Sequence, residues 1–136
     1  MNEKELQGKM QAVFDCAIRG IVKQGRKSVK NAAHFAVCTY RGQDGCKCAI
    51  GWNIPDCEYQ PCLEGRSVRY LADAKYPENP HAIAWARDND RALNFLEDLQ
   101  RAHDVPEDGP GYIRDFIGQA TVVARRYDLA MPEVSP

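Results

Sequence analysis

The chain has 136 residues, 44% of them apolar and 27% charged, which is the composition of one globular domain and excludes disordered, collagenous and rod-like coiled-coil classes. Eighteen Lys and Arg against nineteen Asp and Glu leave a formal charge of −1, so a whole-surface polycation is excluded while a local basic patch is not. No apolar run approaches the roughly twenty residues of a membrane span, and the polar start Met1-Asn2-Glu3-Lys4-Glu5 has no export-type apolar region. The expected setting is the cytoplasm, where six cysteines are thiols or metal ligands sooner than disulfides.

The first expected element is a helix of about twenty residues. Leu6, Met10, Val13, Phe14, Ala17, Ile18, Ile21 and Val22 form one apolar stripe at helical spacing, with Asn2 as N-cap and a stop at Gly25. Two short apolar runs, 36–40 and 46–50, flank Gly42-Gln43-Asp44-Gly45 and predict a β-hairpin over 36–51 that must lie on the helices to be stable. The stretch 52–65 carries Pro55 and Pro61 and reads as an ordered loop, anchored on the core by Trp52. Ser67 opens a short helix with Val68, Leu71 and Ala72 on one face, closed by Tyr76-Pro77-Glu78-Asn79-Pro80. After a lead-in turn over 81–86 bearing Trp85, Asp88 or Asn89 caps a helix reaching His103, with Ala92, Leu93, Leu96, Leu99 and Ala102 inward. A Pro/Gly turn leads to a last helix over about 111–128, in which Ile113, Phe116, Ile117, Ala120, Val123, Ala124 and Tyr127 recur at helical spacing. The expected fold is α+β and predominantly helical: three main helices and a short one packed around a small hairpin. It forms a single domain over 1–130 with a frayed tail over 131–136.

Three patterns carry candidate chemistry. Cys46, Cys48, Cys57 and Cys62 are four thiols within 17 residues, enough ligands for a tetrahedral zinc, although neither pair has the usual C-x2-C hook. Packing of these cysteines as small apolar side chains is the competing reading, and Cys16 and Cys38 read as core residues. His103-Asp104 offers an imidazole oriented by a carboxylate, against the plainer reading of a helix-terminal histidine bonding the last carbonyls. A Cys48–His103 pair would be the enzyme version of these facts. The third pattern is charge. From Cys16 to Gln43 there is no acid, while Arg19, Lys23, Arg26, Lys27, Lys30 and Arg41 are basic, which suits phosphate contact. From Arg87 to Asp108 acids outnumber bases seven to three, which suits a basic partner surface.

The residues Cys38-Thr39-Tyr40-Arg41-Gly42, Lys47-Cys48-Ala49-Ile50-Gly51, Ile54-Pro55-Asp56, Tyr59 and Glu64-Gly65 resemble a family of small uncharacterised phage and prophage proteins. That family's pattern looks like C-x-Y-R-G…C-A-[IV]-G-x-x-I-P-D-x-x-Y…E-G, and Phe95-Leu96…Leu99-Gln100-x-x-His103-Asp104 resembles its second motif. Cys46, Cys57 and Cys62 depart from the pattern. The resemblance implies an accessory protein acting in the bacterial host cytoplasm, in host takeover or counter-defence, and it transfers no catalytic activity. The leading expectation is therefore a non-enzymatic protein that binds a host protein, without a cofactor, through Arg41, Asp56, His103, Asp104, Trp52 and Tyr59. The alternatives are a nucleic-acid-binding module using Arg19, Lys23, Arg26, Lys27 and Lys30, with or without a cysteine-held zinc, and a small thiol- or histidine-dependent enzyme or small-molecule-sequestering protein.

Overall fold

The computed structural model describes residues 1–32 and 35–134, and only the backbone path is described for the strand residues within 31–38. The chain is mostly helical. Helix α1 spans Glu3–Gln24, α2 Val68–Leu71, α3 Asp90–Asp104 and α4 Tyr112–Arg126, and short 3-10 turns punctuate the loops between them. No helix among the described residues is long and apolar enough to cross a membrane.

Each main helix begins where its sequence provides an end. Asn2 accepts the Glu5 amide at 2.8 Å to open α1, and the Gly25 amide closes on the Ile21 carbonyl at 2.9 Å. Asn89, not Asp88, caps α3, taking the Ala92 amide at 2.9 Å. Ser67 caps α2 through the Tyr70 amide at 3.1 Å.

The three long helices pack on one another and α2 lies on α3, so the core is a helical one. Met10, Phe14, Ile18 and Ile21 of α1 meet Phe95, Leu96 and Leu99 of α3 and Tyr112, Phe116 and Ala120 of α4 within one buried cluster. Trp52 and Trp85 lie half-buried against the same cluster, as does Val22. Trp52 sits directly over Gly20 of α1, where any side chain on residue 20 would strike the indole ring. The segment after α4 is stapled to α1. Gln7 Nε2 donates to the carbonyls of Tyr127 and Asp128 at 2.9 and 2.8 Å, and Gln11 exchanges two bonds of 2.9 Å with the backbone of Ala130. Over 131–134 there is no regular structure, but Met131 and Val134 rest half-buried on the core. Residues 135 and 136 of the expected frayed tail lie outside the described residues.

The hairpin expected over 36–51 is not formed. Strand β2, Phe35–Cys38, pairs instead with the preceding strand β1, Val29–Ala32, antiparallel in the register Val29↔Cys38 and Ala32↔Phe35. The 46–50 run makes one bridge, Arg41↔Lys47, and then turns inward. Ladder pairing fails there because a turn with Asp44 and Gly45 at positive φ consumes the chain between the two runs. The next residues are also drawn to other partners. The Ile50 amide donates to Gln100 Oε1 at 3.2 Å and the Gly51 amide to Cys48 Sγ at 3.2 Å. Nor do the helices pack around the strands. Among the described residues β1 and β2 make their main contacts with each other.

Candidate functional site

The motif residues meet around Arg41, just after β2. Its guanidinium donates to the Ile54 carbonyl at 2.8 Å, pairs with Asp56 Oδ1 at 2.6 Å and lies over the Tyr59 ring, 4.5 Å from the centroid. Arg41 Nε is buried with no hydrogen-bond partner among the described residues. Glu64 closes the cluster from the far side of the loop. Its carboxylate accepts the Tyr40 amide at 2.9 Å, the Arg41 amide at 3.1 Å and the Tyr59 hydroxyl at 2.6 Å. One carboxylate thus holds two backbone donors that leave the strand without ladder partners, and fixes the aromatic that carries the Arg41 cation.

Lys47 links this cluster to Trp52. Its ammonium is 3.7 Å from Asp56 and 4.8 Å from the Trp52 ring centroid. Gln24, the last residue of α1, ties both down: Oε1 accepts the Lys47 amide at 2.9 Å and Trp52 Nε1 at 3.1 Å, and Nε2 donates to the Arg26 and Lys47 carbonyls. The outer rim is the exposed part. The side chain of Asp56 is 82% exposed, and the hydrogen bond from Arg41 holds its carboxyl below the usual carboxylate range, helped by the charges of Arg41 and Lys47. Burial, then the Glu64 carboxylate, push the Tyr59 phenol up to about 12.

His103 and Asp104 end α3. The His103 ring is wholly buried; Nε2 accepts the Ser28 amide at 2.9 Å, and Nδ1 faces Asp104 Oδ1 at 2.7 Å. A backbone N–H can only donate, so Nε2 carries no hydrogen and Nδ1–H donates to the carboxylate. Asp104, partly exposed, also takes Gln100 Nε2 at 3.1 Å. A cleft of about 210 Å³ lies between the two motif regions, with Tyr40 and Glu64 on one wall and Gln100 and Asp104 on the other. Four of the six expected binding residues (Arg41, Asp56, Trp52 and Tyr59) therefore gather on one rim. Asp104 lines the neighbouring cleft, and His103 is behind it in the core.

The cysteines do not gather. Cys46 and Cys48 are buried, Cys57 and Cys62 are exposed, and no three metal-ligating side chains come together among the described residues. The four thiols that the zinc alternative would use are thus not brought together among the described residues. Cys48 Sγ instead accepts the Gly51 amide, and burial pushes its thiol up to about 12, which keeps it protonated and unreactive at neutral pH. His103, the base that the enzyme alternative would give it, has both ring nitrogens engaged elsewhere. Cys16 is not the core residue the pattern predicted. It is exposed, with Sγ 3.3 Å from the Trp52 carbonyl, and the side chain of Cys38 lies outside the described residues.

The basic stretch is broken up as well. Arg19, Lys23 and Lys30 are exposed, and Arg26 pairs with Asp44 at 3.3 Å. Lys27 is turned inward, its ammonium capping the end of α3 through the carbonyls of Asp104 at 2.5 Å and Pro106 at 2.9 Å. A buried lysine cannot meet a phosphate, so the basic set loses its central member. Sequence reasoning missed Glu64, Gln24 and Gln100 as the groups that hold the region together. Glu64 stands in the motif, but Gln24 and Gln100 act across 23 and 50 residues of chain, and nothing local marks them. No protein-family model, curated protein or solved structure matches the chain.

Proposed function

We propose that the chain is a non-enzymatic binding protein whose partner is a protein, engaged through the rim formed by Arg41, Lys47, Trp52, Asp56 and Tyr59. The observation that carries this reading is a division of labour among the candidate groups. Cys48 and His103, the residues suited to bond-making chemistry, are wholly buried and committed to backbone amides. Asp56 stands 82% exposed beside two cations, each lying over an aromatic ring. Charged groups flanking half-buried aromatics suit a protein surface of complementary charge. The resemblance of the motif to phage accessory proteins supplies the biological setting of the proposal: a host protein as partner, in the bacterial cytoplasm, with host takeover or counter-defence as the outcome.

Affinity capture at physiological salt tests the reading. The wild-type chain should enrich a host protein, and Asp56→Lys should lose that enrichment at least about tenfold, as reversal of a charge within an interface does. Enrichment of nothing, or equal enrichment by the variant, would count against the rim.

A further inference from the structure

The buried end of α3 makes a contact that the proposed rim does not use. The Ser28 amide donates to His103 Nε2 at 2.9 Å. Ser28 is also the root of the two-stranded ribbon: its carbonyl accepts the Thr39 amide at 3.4 Å, and its hydroxyl bonds the Thr39 and Cys46 carbonyls at 3.0 and 3.3 Å. Ser28 therefore ties the start of the ribbon to the end of α3, as Glu64 ties the residues that follow β2.

We propose that His103 is a pH-sensitive latch for the ribbon, holding the Ser28 amide while its ring is neutral and releasing it on mild acidification. A proton from solvent can go only to Nε2, because Nδ1 already carries its hydrogen toward Asp104. The new N–H then faces the Ser28 N–H, donor against donor. The imidazolium keeps Asp104 and gains a charge pair there, while the Ser28 amide is left buried without an acceptor. The ring swings or the strand lifts, and the ribbon loosens at its root.

The surroundings set the balance. From its own helix, Asp104 favours the charged ring. From the strand side, the Lys27 ammonium sits on the Asp104 and Pro106 carbonyls and opposes it, while Asp108 accepts the Lys27 amide at 3.4 Å. From α4, Tyr112 meets the ring edge-on with centroids 5.9 Å apart and donates its hydroxyl to the His103 carbonyl. Tyr40 and Cys48, which feel the Asp104 charge, are neutral throughout this range because burial raises both. Histidine is the side chain type whose ordinary charge change falls between about pH 5 and 8, which is why mild acid is the condition to test.

Amide hydrogen exchange on the full chain at pH 7.5 and 5.5, corrected for intrinsic rates, reads the latch directly. In the wild type, protection over 28–32 and 35–39 should fall by about tenfold at the lower pH while that of α1 stays constant, as loss of one buried hydrogen bond implies. His103→Gln supplies an amide oxygen near the Nε2 position that does not titrate, and its ribbon protection should be the same at both pH values. Equal acid opening in His103→Gln would assign the effect to Asp104 or Asp108 and overturn the proposal, as would no ribbon-specific change in the wild type. If that variant does not fold, the 15N spectrum of the wild-type imidazole decides. Nε2 must be unprotonated at pH 7.5 and take a proton over the same range in which the ribbon opens, and a protonated Nε2 at pH 7.5 contradicts the latch.

Discussion

Glu64 satisfies two backbone amides and a phenol with one carboxylate, and removing it leaves donors partly buried without acceptors. Glu64→Ala should lower unfolding free energy by about 2–3 kcal/mol, read by urea denaturation, and Glu64→Gln by less because one oxygen acceptor remains. A loss below a few tenths of a kcal/mol would show that the clasp is incidental. Gly51 is the second sensitive residue. A methyl there would collide with the Tyr40 carbonyl, which also accepts the Cys48 amide at 3.3 Å. Its place in the Cys-Ala-Ile-Gly motif is thus explained by a close backbone approach. The cysteines give a chemical check. Cys57 and Cys62 are exposed, whereas Cys46 and Cys48 are buried, with the Cys48 thiol pushed up to about 12. Alkylation of the native chain at pH 7.5 should modify Cys57 and Cys62 rapidly and spare Cys46 and Cys48 until denaturant is added. Rapid native-state labelling of Cys48 would restore the thiol to consideration as a reactive group.

At the scale of elements, the helices are legible from the sequence and the strands are not. The stripes of α1, α3 and α4 are long enough for periodicity to identify them, and Asn2, Ser67 and Asn89 cap as their side chains allow. The strand pairing is misread because two apolar runs of similar length flank a turn-like sequence, whereas β2 pairs with the segment before it. Val29-Lys30-Asn31-Ala32 carries little strand signal of its own. Ser28 at its start is held by His103, 75 residues away, a long-range contact that no local pattern marks. The site is half legible for the same reason: Arg41, Asp56 and Tyr59 lie within one motif, but the glutamines that brace it act at long range. Packing of the Trp52 loop on α1 is similarly non-local. Gly20→Ala should cost about 1–3 kcal/mol by forcing the indole off the helix, a loss visible as a drop in thermal midpoint and in Trp52 fluorescence change on unfolding.

Across the whole molecule, alkaline pH acts on the same interior. Burial raises the phenols of Tyr59 and Tyr127 to about 12 and that of Tyr40 further, and raises the Cys48 thiol to about 12. These groups ionise at lower pH in the unfolded chain, near 9 for the thiol and 10 for the phenols. Above pH 9 the unfolded state therefore holds fewer protons than the native state, and stability falls as pH rises. Their contribution is fully present below pH 9 and declines through the interval from 9 to about 12. The urea midpoint should accordingly be lower at pH 11 than at pH 8, and a flat profile would mean that these side chains are solvated. The buried thiol and imidazole and the saturated clasp belong to the interior that holds the fold, and the contact surface proposed above is the exposed charged side of the 41–59 loop.

Site-specific photocrosslinking in cells expressing the chain tests the proposed contact surface, with a photoreactive residue placed at the exposed Cys57 beside Asp56 or at the exposed Gln119 of α4. A contact surface on the 41–59 loop requires a discrete protein adduct from position 57 and none from position 119; an adduct from 119 alone, or from neither, rules that surface out.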